Sequence, residues 1–442
     1  MHVRRTPKSA AQDGGRGGQG RRAAGGFIAI SNDRATPTVK LGSSDRASLT
    51  GLLAQLNFSF STAFPVDLNH GRQTLMSYAA KSGAQNLSPP TDSAMIAGPR
   101  RRAARRPLAL EDVSDETLLS TRLCDLPVRL EGTLMARRVR RLHRELQAHS
   151  IVALPHAWLA EEFFNPDGVL GFAIPFYLAH PRLMRLERSQ MLEVEGAGEA
   201  ECRRILRHEA GHAIDEAYGL HKRERYRLLF GDPTAPYPTS YKPHPESRDY
   251  VINLTNWYAQ AHPVEDFAET FAIWLNPHID WRSDYKRWPA LEKLEYVDEL
   301  MRETAGTAPT TVDKSEIEPL SELRHTLAEH YAEKRKYFAW DWPANYDQDL
   351  RRIFSDDPKD ADAPPATRFL RRVRVQLRTR IADGTGVHAY AVDQLLRQMI
   401  ARAQKLELRL IEPPAPTIEK LLVMLTMQTA GVLHTGYPKV AL

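Results

Sequence analysis

The segment Arg207-His208-Glu209-Ala210-Gly211-His212-Ala213 sets two histidines four residues apart around a glutamate. On a helix, positions i and i+4 share a face with their Cβ atoms about 5–6 Å apart, so both imidazoles can reach one tetrahedral cation. The spacing works only on a helix, and the flanks agree with one. Ile205, Leu206, Ala213, Ile214 and Ala217 give apolar faces, no proline interrupts them, and Gly219 supplies a stop. The cation implied is Zn²⁺. Zinc lowers the pKa of bound water to about 7, and the carboxylate of Glu209, between the histidines, is placed to take that proton. A chain with this segment must therefore bury a polar helix and bring a further ligand to it.

A catalytic zinc site needs that third protein ligand. The metzincin pattern would require glycine at 215 and histidine at 218, where this chain has Asp215 and Tyr218. The candidate lies downstream, in His262-Pro263-Val264-Glu265-Asp266-Phe267-Ala268-Glu269-Thr270-Phe271. Val264, Phe267, Ala268, Phe271, Ala272 and Leu275 recur at helical spacing and mark a core-packed stripe. Glu265 and Glu269 sit one turn apart beside that stripe. If this helix packs on the histidine-bearing one, Glu265 turns toward the metal. Glu269 can then accept the free N–H of a ligating histidine and fix its tautomer. Asp266 is the rival ligand, about 100° around the helix and shorter in reach. Two acids near a helix start are also favoured by the dipole without any metal.

These elements together resemble a family of bacterial zinc-binding metallopeptidases of gluzincin-like type. The resemblance rests on His208-Glu209-Ala210-Gly211-His212 and on Tyr258-Ala259-Gln260-Ala261-His262-Pro263-Val264-Glu265-Asp266-Phe267-Ala268-Glu269. The core also resembles the catalytic core of anthrax lethal factor. The resemblance implies a zincin-like fold with His208, His212 and Glu265 as metal ligands, Glu209 as general base and Glu269 behind a ligating histidine. It further implies that Tyr258, seven residues before the glutamate ligand, donates to the oxyanion. The activity implied is hydrolysis of peptide bonds by zinc-activated water.

The rest of the chain frames this site. The net charge of +5 hides an asymmetry: residues 1–110 carry 16 Lys+Arg against 5 Asp+Glu, and the remainder is mildly acidic. Residues 1–110 lack periodicity and are rich in Gly, Ser, Ala, Arg and Pro, which predicts a disordered basic arm. It holds one apolar patch, 52–64, and an arginine run from Arg100 to Arg106. Binding of nucleic acid would depend on that arm alone and is not expected, which leaves a peptide or protein substrate as the expected partner. No apolar run reaches the roughly 20 residues of a membrane helix. Met-His-Val-Arg-Arg leads into no apolar signal region, so the expected location is cytoplasmic. Cys124 and Cys202 are too few for a disulfide framework.

The fold class expected is α+β. A zincin-like domain over 111–308 would combine a small sheet with the 201–219 helix, and an all-helical domain would follow over 309–442. Strands are expected at Val169–Leu178 and Met191–Val194. Helices are expected near Leu134–Leu146, 263–276, 289–303, 315–338, 366–382, 387–407 and 416–430. Ser355–Pro365 reads as an acidic linker. Gly171–Tyr177 is a candidate edge strand for an extended peptide, and the Pro-rich loop Gly231–Pro245, with Tyr237 and Tyr241, is a candidate wall of the cleft. His180, His221, His244 and His262 lack partners at ligand spacing.

Overall fold

The computed structural model describes residues 110–434, apart from 239–240, 341 and 343–345. The expected disordered arm, save Leu110, lies outside the described residues, with its apolar patch and arginine run. The described chain is mostly helical with one small sheet, an α+β arrangement. The longer helices are α1 (Leu134–Ala148), α2 (Pro181–Met191), α3 (Glu199–Tyr218), α4 (Glu224–Phe230), α5 (Pro263–Leu275), α6 (Ala290–Thr304), α7 (Leu327–Phe338), α8 (Ala366–Thr385), α9 (Ala389–Lys405) and α10 (Pro414–His434). The sheet among the described residues pairs β1 (His156–Ala160) in parallel with β2 (Gly171–Pro175), His156 opposite Gly171 and Ala160 opposite Pro175. No described helix is long and apolar enough to cross a membrane.

Burial divides the apolar residues into two main clusters. The first runs from Leu110 to Tyr331 and gathers β2, α2, α3, α5 and α6 around Phe172, Ile214, Phe267, Phe271 and Leu300. The second runs from Trp340 to Leu425 and is built by α8, α9 and α10 with Phe354 and Trp342. Leu320, Leu327 and Tyr331 pack with the first cluster. Helix α5 owes its place to the stripe visible in its sequence: Phe267, Ala268, Phe271, Ala272 and Leu275 are all buried. His262 caps its first turn by accepting from the Val264 N–H, and Pro263 occupies the first helical position, where a missing N–H costs nothing.

Several expectations change. Met191–Val194 is not a strand: Met191 ends α2 and Leu192 adopts a left-handed conformation that closes it. A four-residue apolar run has no period long enough to separate strand from helix end. The strand within Val169–Leu178 is confined to Gly171–Pro175, and Phe176–Ala179 tightens into a 3₁₀ turn. All five residues of β2 are buried, and Ala173 N–H already donates to Phe164 O (2.8 Å), so this stretch does not offer a free edge there. The helix expected from 315 begins at Leu327, because Thr326 and Glu329 form a reciprocal capping box. Ser355 and Pro365 both bridge to Arg409, which ties the acidic stretch into the fold. Arg138 of α1 is buried and binds Glu199 (2.8 Å) and Gly196 O (3.0 Å). Leu134, the first residue of α1, is exposed, while Val139, Leu142 and Leu146 are buried.

Candidate metal centre

The site forms where α3 crosses α5, and Gly211 sets how closely they cross. A Cβ built on Gly211 would lie 2.9 Å from the Ala268 Cα, 3.1 Å from its carbonyl oxygen and 3.2 Å from the Phe271 Cβ. Only a residue without a side chain lets the backbones approach this far. Gly211 sits between His208 and His212, and Ala268 sits between Glu265 and Glu269. The close crossing therefore presses two histidines against two carboxylates.

The donor atoms converge. His208 Nε2 and His212 Nε2 are 3.1 Å apart, and each lies 3.2 Å from Glu265 Oε2. Tetrahedral bonds of about 2.0–2.1 Å would set three such atoms about 3.3 Å apart. His208 Nδ1 donates to Glu269 Oε1 (2.9 Å), and Glu269 also accepts from Asn253 Nδ2 (2.7 Å) and Leu254 N–H (2.8 Å). That carboxylate thus fixes the His208 ring with Nε2 facing Glu265. Asp266 faces elsewhere: Lys293 Nζ donates to its Oδ2 (2.6 Å) and to Asp249 O (2.7 Å).

Glu209 is the anomaly. It is 1% exposed, and neither carboxylate oxygen has a hydrogen-bond partner. Burial raises its pKa, partly offset by His208 and His212. Burial also acts to raise Glu265, but the two imidazoles override it and hold that carboxyl well below the usual range. His208 is the converse: burial pushes it down, and Glu265 and Glu269 pull it up to about 10. Two nitrogens and a carboxylate oxygen at this spacing, with a solvent-starved carboxylate beside them, fit a zinc ion.

The other sequence candidates are placed as follows. Tyr258 is buried, its ring centroid 5.6 Å from that of His208. Of the Pro-rich loop, Tyr237 reaches the site. Its hydroxyl donates to Glu265 Oε1 (2.5 Å), and its ring stacks on His262 at 3.8 Å. Sequence reasoning gave the loop a position but Tyr237 no contact, because an aperiodic loop carries no register. Asn253, Leu254 N–H and Lys293 were also missed; nothing in their spacing points to a partner. His221 binds Asp215 (3.0 Å).

A second trio, Glu161, His325 and His330, also brings potential ligand atoms together. There both imidazoles sit 2.7 Å from the one oxygen Glu161 Oε1. That is the separation of charge-assisted hydrogen bonds, tighter than tetrahedral ligands adopt.

Residues 203–284 match the family described as "Putative zinc-binding metallo-peptidase". The match takes in α5 and all but the first four residues of α3, and with them His208, Glu209, His212, Tyr237, Asn253, Leu254, Tyr258, Glu265 and Glu269. No curated protein and no solved structure matches the chain.

Proposed function

We propose that the chain is a zinc-dependent peptidase of gluzincin-like type, with a zincin-like arrangement of α3, α5 and the small sheet. The observation that carries the reading is the convergence of His208, His212 and Glu265 beside a buried, unpartnered Glu209. His208, His212 and Glu265 would hold the ion. Zn²⁺ there supplies a Lewis acid that makes water acidic near neutrality and polarises a carbonyl.

The remaining steps belong to the chain. Glu209, kept from other donors, accepts the proton of the attacking water, and its raised pKa suits it to pass that proton to the leaving amine. Glu269 holds the His208 ring in place. Tyr237 holds the outer oxygen of Glu265, which leaves Oε2 directed at the histidines. Tyr258, beside His208, is assigned to donate to the oxyanion that develops on the substrate carbonyl. A peptide or protein is the substrate class.

The test is metal analysis of the purified chain with a peptidase assay before and after chelation. About one zinc per chain and chelator-sensitive hydrolysis are expected. No tightly bound divalent ion at neutral pH would end the proposal. Zinc without turnover would instead favour a zinc-stabilised binding module.

A further inference from the structure

The residues just before Tyr258 adopt a conformation that the chain does not adopt readily. Asn256 (φ 61°, ψ 22°) and Trp257 (φ 54°, ψ 46°) are consecutive, non-glycine and left-handed. Such a conformation is strained, more for Trp257 than for Asn256, and persists where the surroundings over-determine it. Three anchors surround the turn. On its N-terminal side, Asn253 and Leu254 are bound to Glu269. At its centre, the Tyr241 hydroxyl donates to Asn256 O (2.6 Å).

The third anchor comes from the second hydrophobic cluster. Asn256 Nδ2 donates to the carbonyl of Gly386 (3.1 Å), the residue that ends α8 in a left-handed conformation (φ +71°). Any Cβ at Gly386 would overlap Asn256 Oδ1. The α8–α9 hairpin is itself held against the first cluster. Ala389 N–H donates to Glu193 (2.8 Å), His388 Nε2 lies 3.0 Å from Glu193, and His388 stacks on Phe338 at 3.8 Å.

We propose that the C-terminal helices serve as a positioning element for the cleft: Gly386, through Asn256, holds the left-handed turn that sets Tyr258 beside His208. This rests on the peptidase reading for its catalytic consequence, though not for the contact. It gives the helical region a role in the reaction without touching substrate. Asn256 and Gly386 are positioning residues, acting through Tyr258.

The experiment uses the full chain, zinc-loaded, carrying Gly386→Ala, Asn256→Asp, Tyr258→Phe and the pairwise combinations. Gly386→Ala displaces the Asn256 amide, and Asn256→Asp removes its donor while keeping a residue that tolerates the left-handed region. Each should lower kcat about 10- to 100-fold, the scale of an ångström-size misplacement, with KM and zinc content unchanged. Combined with Tyr258→Phe, neither should lower kcat further. Hydrogen exchange should rise at residues 254–261 in both variants while α3 and α5 stay protected. Unchanged exchange there overturns the positioning role whatever the activity. Losses that multiply with that of Tyr258→Phe overturn the route through Tyr258. A parent chain that hydrolyses no peptide removes the peptidase reading, and the exchange result still decides whether Gly386 holds the turn. Asn256→Asp guards against a Gly386→Ala chain that fails to fold.

Discussion

Gly211→Ala tests the crossing on which the whole centre depends. The added methyl would lie 2.9 Å from the Ala268 Cα, whereas ordinary contacts of this kind begin at 3.4 Å. The partner is backbone and cannot swing aside, so α3 and α5 must part by about 0.5–1 Å. Two effects oppose each other. Alanine in a helix interior is favoured over glycine by about 1 kcal/mol. Overpacking a close-packed core costs about 1–3 kcal/mol. The net change in stability is therefore a loss of about 0–2 kcal/mol, a small fall in Tm. The metal site is less forgiving, because the histidines move with α3 while Glu265 and Glu269 stay with α5. Zinc affinity should fall by about 10-fold or more, comparable with the loss of a supporting contact behind a ligand. Thermal unfolding of the metal-free chain and competition titration with a chromophoric chelator measure the two effects separately. A variant that binds zinc as tightly as the parent and melts higher would show that helix propensity outweighs the contact, and would refute the close crossing as the element that assembles the site.

The other predictions follow from single contacts. Glu265→Ala should lose most of the zinc, whereas Asp266→Ala should keep it yet destabilise the fold by about 3 kcal/mol, since Lys293 is left as a buried charge; zinc content and urea unfolding of both variants separate these outcomes, and loss of metal from the Asp266 variant would reverse the ligand assignment. Glu209→Gln should retain zinc while hydrolysis falls by about 10²–10⁴-fold, and equal turnover by parent and variant would discard Glu209 as the base. The Glu161 trio gives a pH signature. Burial opposes ionisation of Glu161, but bonds from His325 and His330 hold its carboxyl down at about 2, and the bond to Glu161 raises His325. A depressed carboxyl contributes stability above its unfolded value of 4.5, lost as pH falls toward 2; a raised imidazole contributes below its unfolded value of 6.5, lost as pH rises through the folded one. Glu161→Gln should therefore lower Tm most between those two values, and a deficit independent of pH would rule the linkage out.

What could be read in advance divides along physical lines. Helix α5 was legible because its apolar residues repeat with the helical period over three turns, and the stripe fixes which residues sit beside it. Helix α3 was legible from its apolar flanks. Met191–Val194 was not, since four apolar residues fit a strand or a helix end equally, and the left-handed Leu192 leaves no mark in composition. The start of α7 was obscured by an acidic, helix-compatible stretch, although Thr326 and Glu329 carry the capping signal at the right spacing. The partners of the site were harder still. Tyr237 meets Glu265 across 28 residues and Lys293 meets Asp266 across 27, and neither separation has a period to betray it. Gly211 was visible as a residue but not as a contact, because its role exists only once Ala268 lies against it.

Four of the carboxylates buried on α3 and α5 differ in one respect that bears on the proposed function. Glu269 is met by three donors, Glu265 by two imidazoles and a phenol, and one oxygen of Asp266 by an ammonium. Each of these interactions offsets the penalty of removing a charge from water. Glu209 lies equally deep with both oxygens unpartnered, so its desolvation is opposed only by the field of the nearby histidines. A group in that state destabilises the fold it belongs to. The same state keeps its lone pairs free of competing donors, as the proposed role in proton transfer requires. The buried carboxylates thus fall into two kinds: Glu265, Asp266 and Glu269 are bound up in contacts that tie α5 to its neighbours, and Glu209 on α3 is left without a hydrogen bond. The burial that makes Glu209 costly to the fold is also what shifts its pKa upward, the direction that the proposed role as acceptor and then donor of a proton calls for.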